Sequence, residues 1–306
     1  MSEPPTLSIL WRGPLSGCNY ACGYCPFAKR KDSRATLATD RAALERFEGW
    51  VALRARRVAI LFTPWGEALI RRYYRETITR LSHLNQVETV AIQTNLSGST
   101  GWLAACDTQR VALWTTFHPG ETDQARFVTK IRELAAMGIR HSVGVVALRA
   151  HFDAIERLRA ALPPETYLWI NAEEGLQGCY SDGEVERLAA VDPLFELNNR
   201  AYATAGRACA AGETAISVRG DGEVRRCHFI DTPIGNIHDP DFDAKLRATP
   251  CSRATCNCHI GYRHLKDLAM AELFGDGSTE RRASTPLRGD ALARIAAFEF
   301  GQFGSG

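Results

Sequence analysis

The 306-residue chain has no apolar stretch approaching the roughly 20 residues that span a bilayer, so no membrane helix is expected. Its opening residues, Met-Ser-Glu-Pro-Pro, lack a basic segment followed by an apolar one, and no secretory signal is expected either. An excess of one charge sign is also missing. The 37 Lys and Arg against 35 Asp and Glu leave a formal net charge of +2, which forces no basic face of the kind nucleic-acid binders use. Short basic runs (Lys29-Arg30-Lys31, Arg54-x-Arg56-Arg57, Arg71-Arg72) read as solvated helix or loop faces. Repeats, low-complexity segments and a glycine-rich nucleotide loop are absent as well. What the chain does have is cysteine, ten in all. Without an export signal, these point to reduced thiols in the cytoplasm that serve metal or chemistry rather than disulfides. The length suffices for one large domain and a small one, with ample core.

Three cysteines, Cys18, Cys22 and Cys25, are spaced C-x3-C-x2-C, and Tyr24 stands directly before the third. Three thiolates leave one iron of a four-iron cube without a protein ligand, free to take an exchangeable molecule. A structural zinc site would want four ligands, usually as two close Cys or His pairs, and this loop has no second pair. A bacterial ferredoxin run has a different spacing. The loop resembles that of the radical S-adenosylmethionine (SAM) superfamily. That resemblance implies a [4Fe–4S] cluster whose open iron is chelated by the amino and carboxylate groups of SAM, with Tyr24 beside the cofactor.

Between residues 7 and 195, short apolar runs alternate with amphipathic stretches. Strands are expected at Leu7–Trp11, Val58–Phe62, Val87–Gln93, Val111–Thr116, His141–Ala147 and Tyr167–Asn171, because they are short and rich in β-branched and aromatic residues. Helices are expected at Asp40–Arg57, Glu67–Leu84, Thr122–Met137, His151–Leu162 and Asp182–Val191. Six β/α units are too few to close an eight-stranded barrel. They match the partial (β/α)6 TIM barrel of the radical SAM core, with residues 1–195 as that domain. In such folds chemistry gathers at the C-terminal ends of the strands.

The resemblance extends to several of these strand ends. Trp65-Gly66-Glu67-Ala68 looks like the family's Gly-Gly-Glu-Pro segment, which implies a place for Gly66 and the Glu67 carboxylate near the ammonium group of SAM. Glu67 could equally cap the helix that starts there. Gln93-Thr94-Asn95 resembles a Thr-Asn-Gly ending, with Leu96 where glycine is usual, and Trp114-Thr115-Thr116-Phe117-His118 ends the fourth strand. Asn95 and Thr116 suit the ribose hydroxyls or carboxylate of SAM. Arg149 could pair with that carboxylate or simply open the next helix as a surface residue.

After residue 196 the chain changes character. Cys209 and Cys227 bracket an Asp221-Gly222 hairpin signal, followed by Gly235-Asn236-Ile237 and by Cys251-x4-Cys256-x-Cys258-His259. This arrangement resembles the auxiliary-cluster extension of SPASM and twitch radical SAM proteins. Five cysteines, rather than the seven of a full SPASM domain, imply one auxiliary [4Fe–4S] cluster in residues 196–275. Cys209 and Cys227 are its expected ligands, Cys256 and Cys258 complete the set, and Cys251 competes for a place. A zinc site from the same thiols, with His259 and His264 available, is the alternative. Residues 276–306 read as a loop, a short helix at Asp290–Phe300 and a glycine-rich tail, without assignable chemistry.

Cys106 is expected to be a buried free thiol. Cys179 follows the sixth strand in Glu173-Glu174-Gly-Leu-Gln-Gly-Cys179 and is the candidate hydrogen donor to a substrate radical, with Glu173, Glu174 and His118 on the same face. The resemblance implies reductive cleavage of SAM, driven by an electron donor such as flavodoxin or ferredoxin, and hydrogen abstraction from a substrate. That substrate is a ribosomal peptide to be epimerised or cross-linked, or a small metabolite such as a sugar, aminocyclitol or nucleotide. A protein that only binds iron–sulfur or zinc is the third reading. Because Cys18 stands so near the first residue, a peptide-recognition module is expected to be a separate protein.

Overall fold

Runs such as Val58-Ala-Ile-Leu-Phe62, apolar on both faces, form strands only where both faces are covered, and that condition sets the architecture of the first half. The computed structural model describes residues 4–27, 31–268 and 270–283. Six parallel strands run side by side in chain order: β1 (Leu7–Arg12), β2 (Val58–Phe62), β3 (Val87–Thr94), β4 (Val111–Thr116), β5 (Arg140–Val146) and β6 (Leu168–Asn171). Between them lie α1 (Arg34–Ala52), α2 (Arg72–Ser82), α3 (Gln124–Ala136) and α4 (Phe152–Ala161), and α5 (Asp182–Ala189) and the short α6 (Phe195–Asn198) follow β6. This is the partial barrel that the sequence predicts.

The strand bounds agree closely with expectation, whereas two helices do not. α1 begins at Arg34 rather than Asp40 because Ser33 caps it, its hydroxyl accepting from Thr36 N at 3.0 Å. α2 begins at Arg72 rather than Glu67 because the Glu67 carboxylate is engaged by backbone and side-chain donors of its own turn and of β3. α5 carries a full capping box between Ser181 and Glu184.

One face of the sheet packs against the helices through Ile9, Ile60, Ile92, Leu113 and Val145, together with Phe47, Ile78 and Ile131 from those helices. The concave face presents Leu10, Leu61, Ala91, Ala112, Trp114 and Trp169. Gly144 is required there: a Cβ at this position would lie 1.9 Å from the Trp169 ring, so only glycine lets that indole cross the barrel.

Six strands leave the concave face open, and the C-terminal part of the chain fills it. Tyr202, Tyr262, Leu265, Met270 and Phe274 join the same apolar cluster as Trp114 and Trp169. The Asp221-Gly222 hairpin forms as predicted, with β8 (Ala215–Arg219) and β9 (Glu223–Arg225) joined through Gly222 at φ +86°. The pattern does not foretell that β8 pairs in parallel with β1, from Ser8↔Ala215 to Arg12↔Arg219. With β10 (Pro233–Asn236) at the far edge, a nine-stranded sheet runs through both halves of the chain. A separate ribbon pairs β7 (Tyr202–Ala203) with β11 (Thr255–Cys256), and the short helices α7 (His259–Tyr262) and α8 (Met270–Phe274) follow. The expected helix at Asp290–Phe300 lies outside the described residues. Among the described residues, no helix is long and apolar enough to cross a membrane.

Candidate active site and auxiliary cysteine cavity

The loop that leaves β1 carries Cys18, Cys22 and Cys25 to the C-terminal end of the sheet. Two buried carboxylates hold its root. Asp40 of α1 accepts from Leu15 N at 3.2 Å and from the Tyr73 and Tyr74 hydroxyls at 2.8 and 3.3 Å. Asp32 accepts from Ser16 N, the Ser16 hydroxyl and Gly17 N at 3.1, 3.0 and 2.8 Å. Gly13 leaves room for this arrangement, since a Cβ there would sit 2.4 Å from Asp40 Oδ1. Burial raises the pKa of Asp40 against these bonds, which oppose the shift.

The three thiols are close enough to feel one another's charge. Burial, followed by the charge of Glu121, pushes the Cys22 thiol up to about 11. His118 Nδ1 lies 3.3 Å from Cys22 Sγ and 2.8 Å from the Tyr24 hydroxyl. Burial, followed by the neighbouring His151, lowers His118 to about 4, so its imidazole is neutral at neutral pH. Tyr24 stacks on His118 with ring centroids 6.1 Å apart.

Gly66 and Glu67 build the second wall. A Cβ on Gly66 would fall 2.0 Å from Gly17 O, so glycine lets this turn press against the root of the cysteine loop, and Glu67 N donates to Gly17 O at 3.1 Å. The Glu67 carboxylate is 2% exposed and accepts from Leu69 N, the Thr94 hydroxyl and Asn95 N, the last at 2.6 Å. It is a brace tying the end of β2 to the end of β3, and it does not cap α2, which starts at Arg72 without a side-chain cap. Asn95 donates to Asn19 Oδ1 at 3.1 Å and points Nδ2 at Cys18 Sγ, 3.8 Å away. Leu96, where the family has glycine, takes φ +55°, a left-handed conformation costly for a side chain. Lys130 holds that turn by donating to the Leu96, Ser97 and Gly98 carbonyls at 2.6–2.8 Å. Thr116 stands half-buried at the end of β4, paired with Gly144.

Two expected residues lie elsewhere. Arg149 is half-exposed and forms a bidentate pair with Glu184 at 2.6 and 3.1 Å, while also donating to Cys179 O. Its pairing capacity is taken up at the surface. Cys179 is exposed, which does not suit a hydrogen donor that must meet a radical away from water. Cys106 is buried, with its thiol 3.4 Å from the Thr79 hydroxyl, as expected of a structural thiol.

The extension gathers its thiols around one cavity. Cys209, Cys227, Cys251 and Cys256 line a space of about 320 Å³, mouth included, together with Ile230 and Leu265. Cys258, named beforehand for this set, is not among the lining residues; Cys251, named as its competitor, is. Alternation along the Cys256-Asn257-Cys258 segment does not decide this. The segment turns into α7, and the thiol of Cys258 feels the charges of Arg281, Arg12 and Glu174 instead. Arg226 fixes Cys251 by donating to the carbonyls of Thr249 and of Pro250, the latter at 2.6 Å. Gly261 makes room for Cys256, since a Cβ there would stand 2.6 Å from its sulfur. Burial pushes the Cys256 thiol up to about 12. Among the described residues, no three Cys, His, Asp or Glu side chains converge as a single metal ion would require. The four thiols line one space, a donor set that fits a cubane cluster and would equally serve zinc. His259 and His264 do not line that cavity.

No family model matches the chain, and no curated protein matches it. Among solved structures it is similar to native anSMEcpe with bound AdoMet and Kp18Cys peptide (TM-score 0.51, 15% identity, covering 79% of this chain and 80% of that one). BtrN in complex with AdoMet and 2-DOIA aligns less well, with a TM-score of 0.33 at 16% identity over 79% of this chain and 88% of that one. The chain therefore shares the fold of the anSMEcpe neighbour, here a partial barrel of six parallel strands with a C-terminal extension on the same sheet.

Proposed function

We propose that this chain is a radical SAM enzyme with one auxiliary cluster. The observation that carries this reading is the contrast in thiol number. Three cysteines stand on the loop at the C-terminal end of β1, and four line the cavity of the extension. Cys18, Cys22 and Cys25 would hold the first [4Fe–4S] cluster, and Cys209, Cys227, Cys251 and Cys256 the second. When bound, the first cluster with SAM supplies a 5′-deoxyadenosyl radical by reductive cleavage. The chain's own residues shape that site. Asp32 and Asp40 anchor the loop, Glu67 and Lys130 fix the turn that carries Asn95, and neutral His118 bonds between Cys22 and Tyr24. The buried Trp114 and Trp169 exclude water from the barrel interior.

For the substrate we infer a peptide, a reading supported by the peptide bound in the structural neighbour of TM-score 0.51. The class is tested by reconstituting the full chain anaerobically, reducing it with dithionite and assaying SAM conversion. Formation of 5′-deoxyadenosine and about eight irons per chain are expected. A colourless protein, or one holding zinc alone, would end the proposal.

A further inference from the structure

Polar atoms buried without partners mark places where a ligand's atoms are missing. Three such atoms lie together inside the barrel: Arg281 Nε, Trp114 Nε1 and His259 Nε2, on residues that are each 3% exposed. The Arg281 guanidinium sits 4.5 Å over the Trp169 ring and 6.0 Å from that of Trp114, and the Trp114 and His259 rings are 5.5 Å apart. The side-chain hydrogen bond of Arg281 runs from Nη1 to Asn171 Oδ1 at 3.1 Å, at the C-terminal end of β6. No carboxylate lies within ion-pair distance of Arg281 among the described residues; the carboxylate charge it feels is that of Asp192, which is occupied by the Tyr167 hydroxyl and two backbone amides.

The backbone goes to some lengths to put this cation there. Arg281 takes φ +53°, a conformation that costs a side-chain-bearing residue and persists only where its surroundings impose it. Its neighbours impose it. Glu280 is fully buried, pairs with Arg282 at 3.2 Å and accepts the Ser142 hydroxyl at its carbonyl, while Arg282 N donates to Gly277 O. With both flanking residues fixed, the left-handed step turns Arg281 inward.

A second arginine without a carboxylate within ion-pair distance, among the described residues, stands at the end of β1. Arg12 donates to Thr63 and to His228 Nε2 and lies 3.8 Å over the Trp65 ring, and the Cys258 thiol feels both Arg12 and Arg281. Two such cations, both felt by the Cys258 thiol, beside a buried indole N–H suit an anion with planar, paired acceptors. We propose that Arg281, assisted by Trp114 Nε1 and flanked by Arg12, binds a carboxylate of the substrate. This rests on the barrel being the substrate chamber of the proposed enzyme, and it narrows the substrate to one carrying a carboxylate, such as an acidic side chain or a free C-terminus.

The test uses the cluster-loaded full chain and two probes of equal shape, N-acetylglycine and its neutral amide, with binding measured by calorimetry. The acid is expected to bind saturably at one site and the amide not at all. Arg281→Met should weaken the acid roughly ten- to a hundredfold, the effect of removing a hydrogen bond to a charged group, and Arg281→Lys by less. Trp114→Phe removes one donor without touching Arg281 and should cost about two- to tenfold. SAM binding should be unchanged in all three variants. Equal binding of acid and amide, or none of either, would overturn the assignment. So would loss of SAM binding in Arg281→Met, which would place the carboxylate of SAM itself on that arginine. If the variants fail to fold, the acid–amide difference in the wild-type protein still decides. Because the assay needs no SAM cleavage, its failure is distinct from failure to form 5′-deoxyadenosine.

Discussion

The two thiol sites are held in different ways. The N-terminal loop is fastened at its root, where Asp32 and Asp40 take up backbone amides of Leu15, Ser16 and Gly17, while its cysteines project beyond the anchored residues. His118, through Cys22 and Tyr24, and Asn95, through Asn19, hold the tip of that single loop as well. The C-terminal thiols come from four separate points of the chain and line one cavity, with Arg226 drawing in Cys251 through two carbonyls. On the proposed reading, the four-thiol cavity would hold a group that passes electrons or braces the fold. The proposed difference in ligand number, three against four, is thus one between a single loop and four separate points of the chain.

The severest way to break this comparison is to remove the loop's thiols. Replacing Cys18, Cys22 and Cys25 with Ala should abolish 5′-deoxyadenosine formation and cut iron from about eight to about four per chain. Surviving cleavage would mean that the roles of the two sites are reversed. Next in size, Cys251→Ala should lose the iron of the second site, whereas Cys258→Ala should keep all of it. Iron analysis of the pair would overturn the assigned ligand set if the results were interchanged.

A smaller effect tests the anchors. Asp40→Ala leaves Leu15 N and two tyrosine hydroxyls without their buried acceptor and should cost about 3 kcal/mol in urea unfolding of the metal-free chain. Iron retention should fall at the first site and not at the second. Equal losses at both would show that Asp40 merely supports the whole fold.

The smallest expected effect is on acid stability. Burial holds His118 neutral down to about pH 4, while in the unfolded chain it takes a proton near its ordinary value of about 6.5. Between those values the unfolded state binds more protons, so stability should fall as pH falls through that window and be fully present above it. Urea midpoints of the metal-free chain at pH 7, 6 and 5 should decline with a slope about one proton shallower in His118→Gln. An unchanged slope would mean that His118 is solvated.

Much of this was legible beforehand, for identifiable reasons. Parallel strands buried on both faces announce themselves by short runs of β-branched residues, and β2 and β4 begin and end where those runs do. The three-cysteine spacing and the Asp221-Gly222 turn are local, and local signals survive in the sequence. What was hidden depends on distant partners. The sequence offers Glu67 as a SAM contact or a helix cap, and does not show that it accepts from Thr94 and Asn95, the latter 28 positions away. The spacing groups Cys258 with Cys256, but only Cys256 lines the cavity. Arg281 lay in a stretch without pattern, and only its inverted backbone and the open concave face give it a role. Asp32 and Lys130 could have been suspected only from the strain or tight packing they relieve.

The parallel pairing of β8 with β1 has a consequence for how this molecule is made. As the chain is synthesised, β1 has β2 soon available on one flank, but its other flank stays bare until Ala215 and its neighbours emerge. Until then an unsatisfied row of amides and carbonyls is open to strangers. A chain terminated ahead of that point should precipitate rather than yield a smaller working barrel.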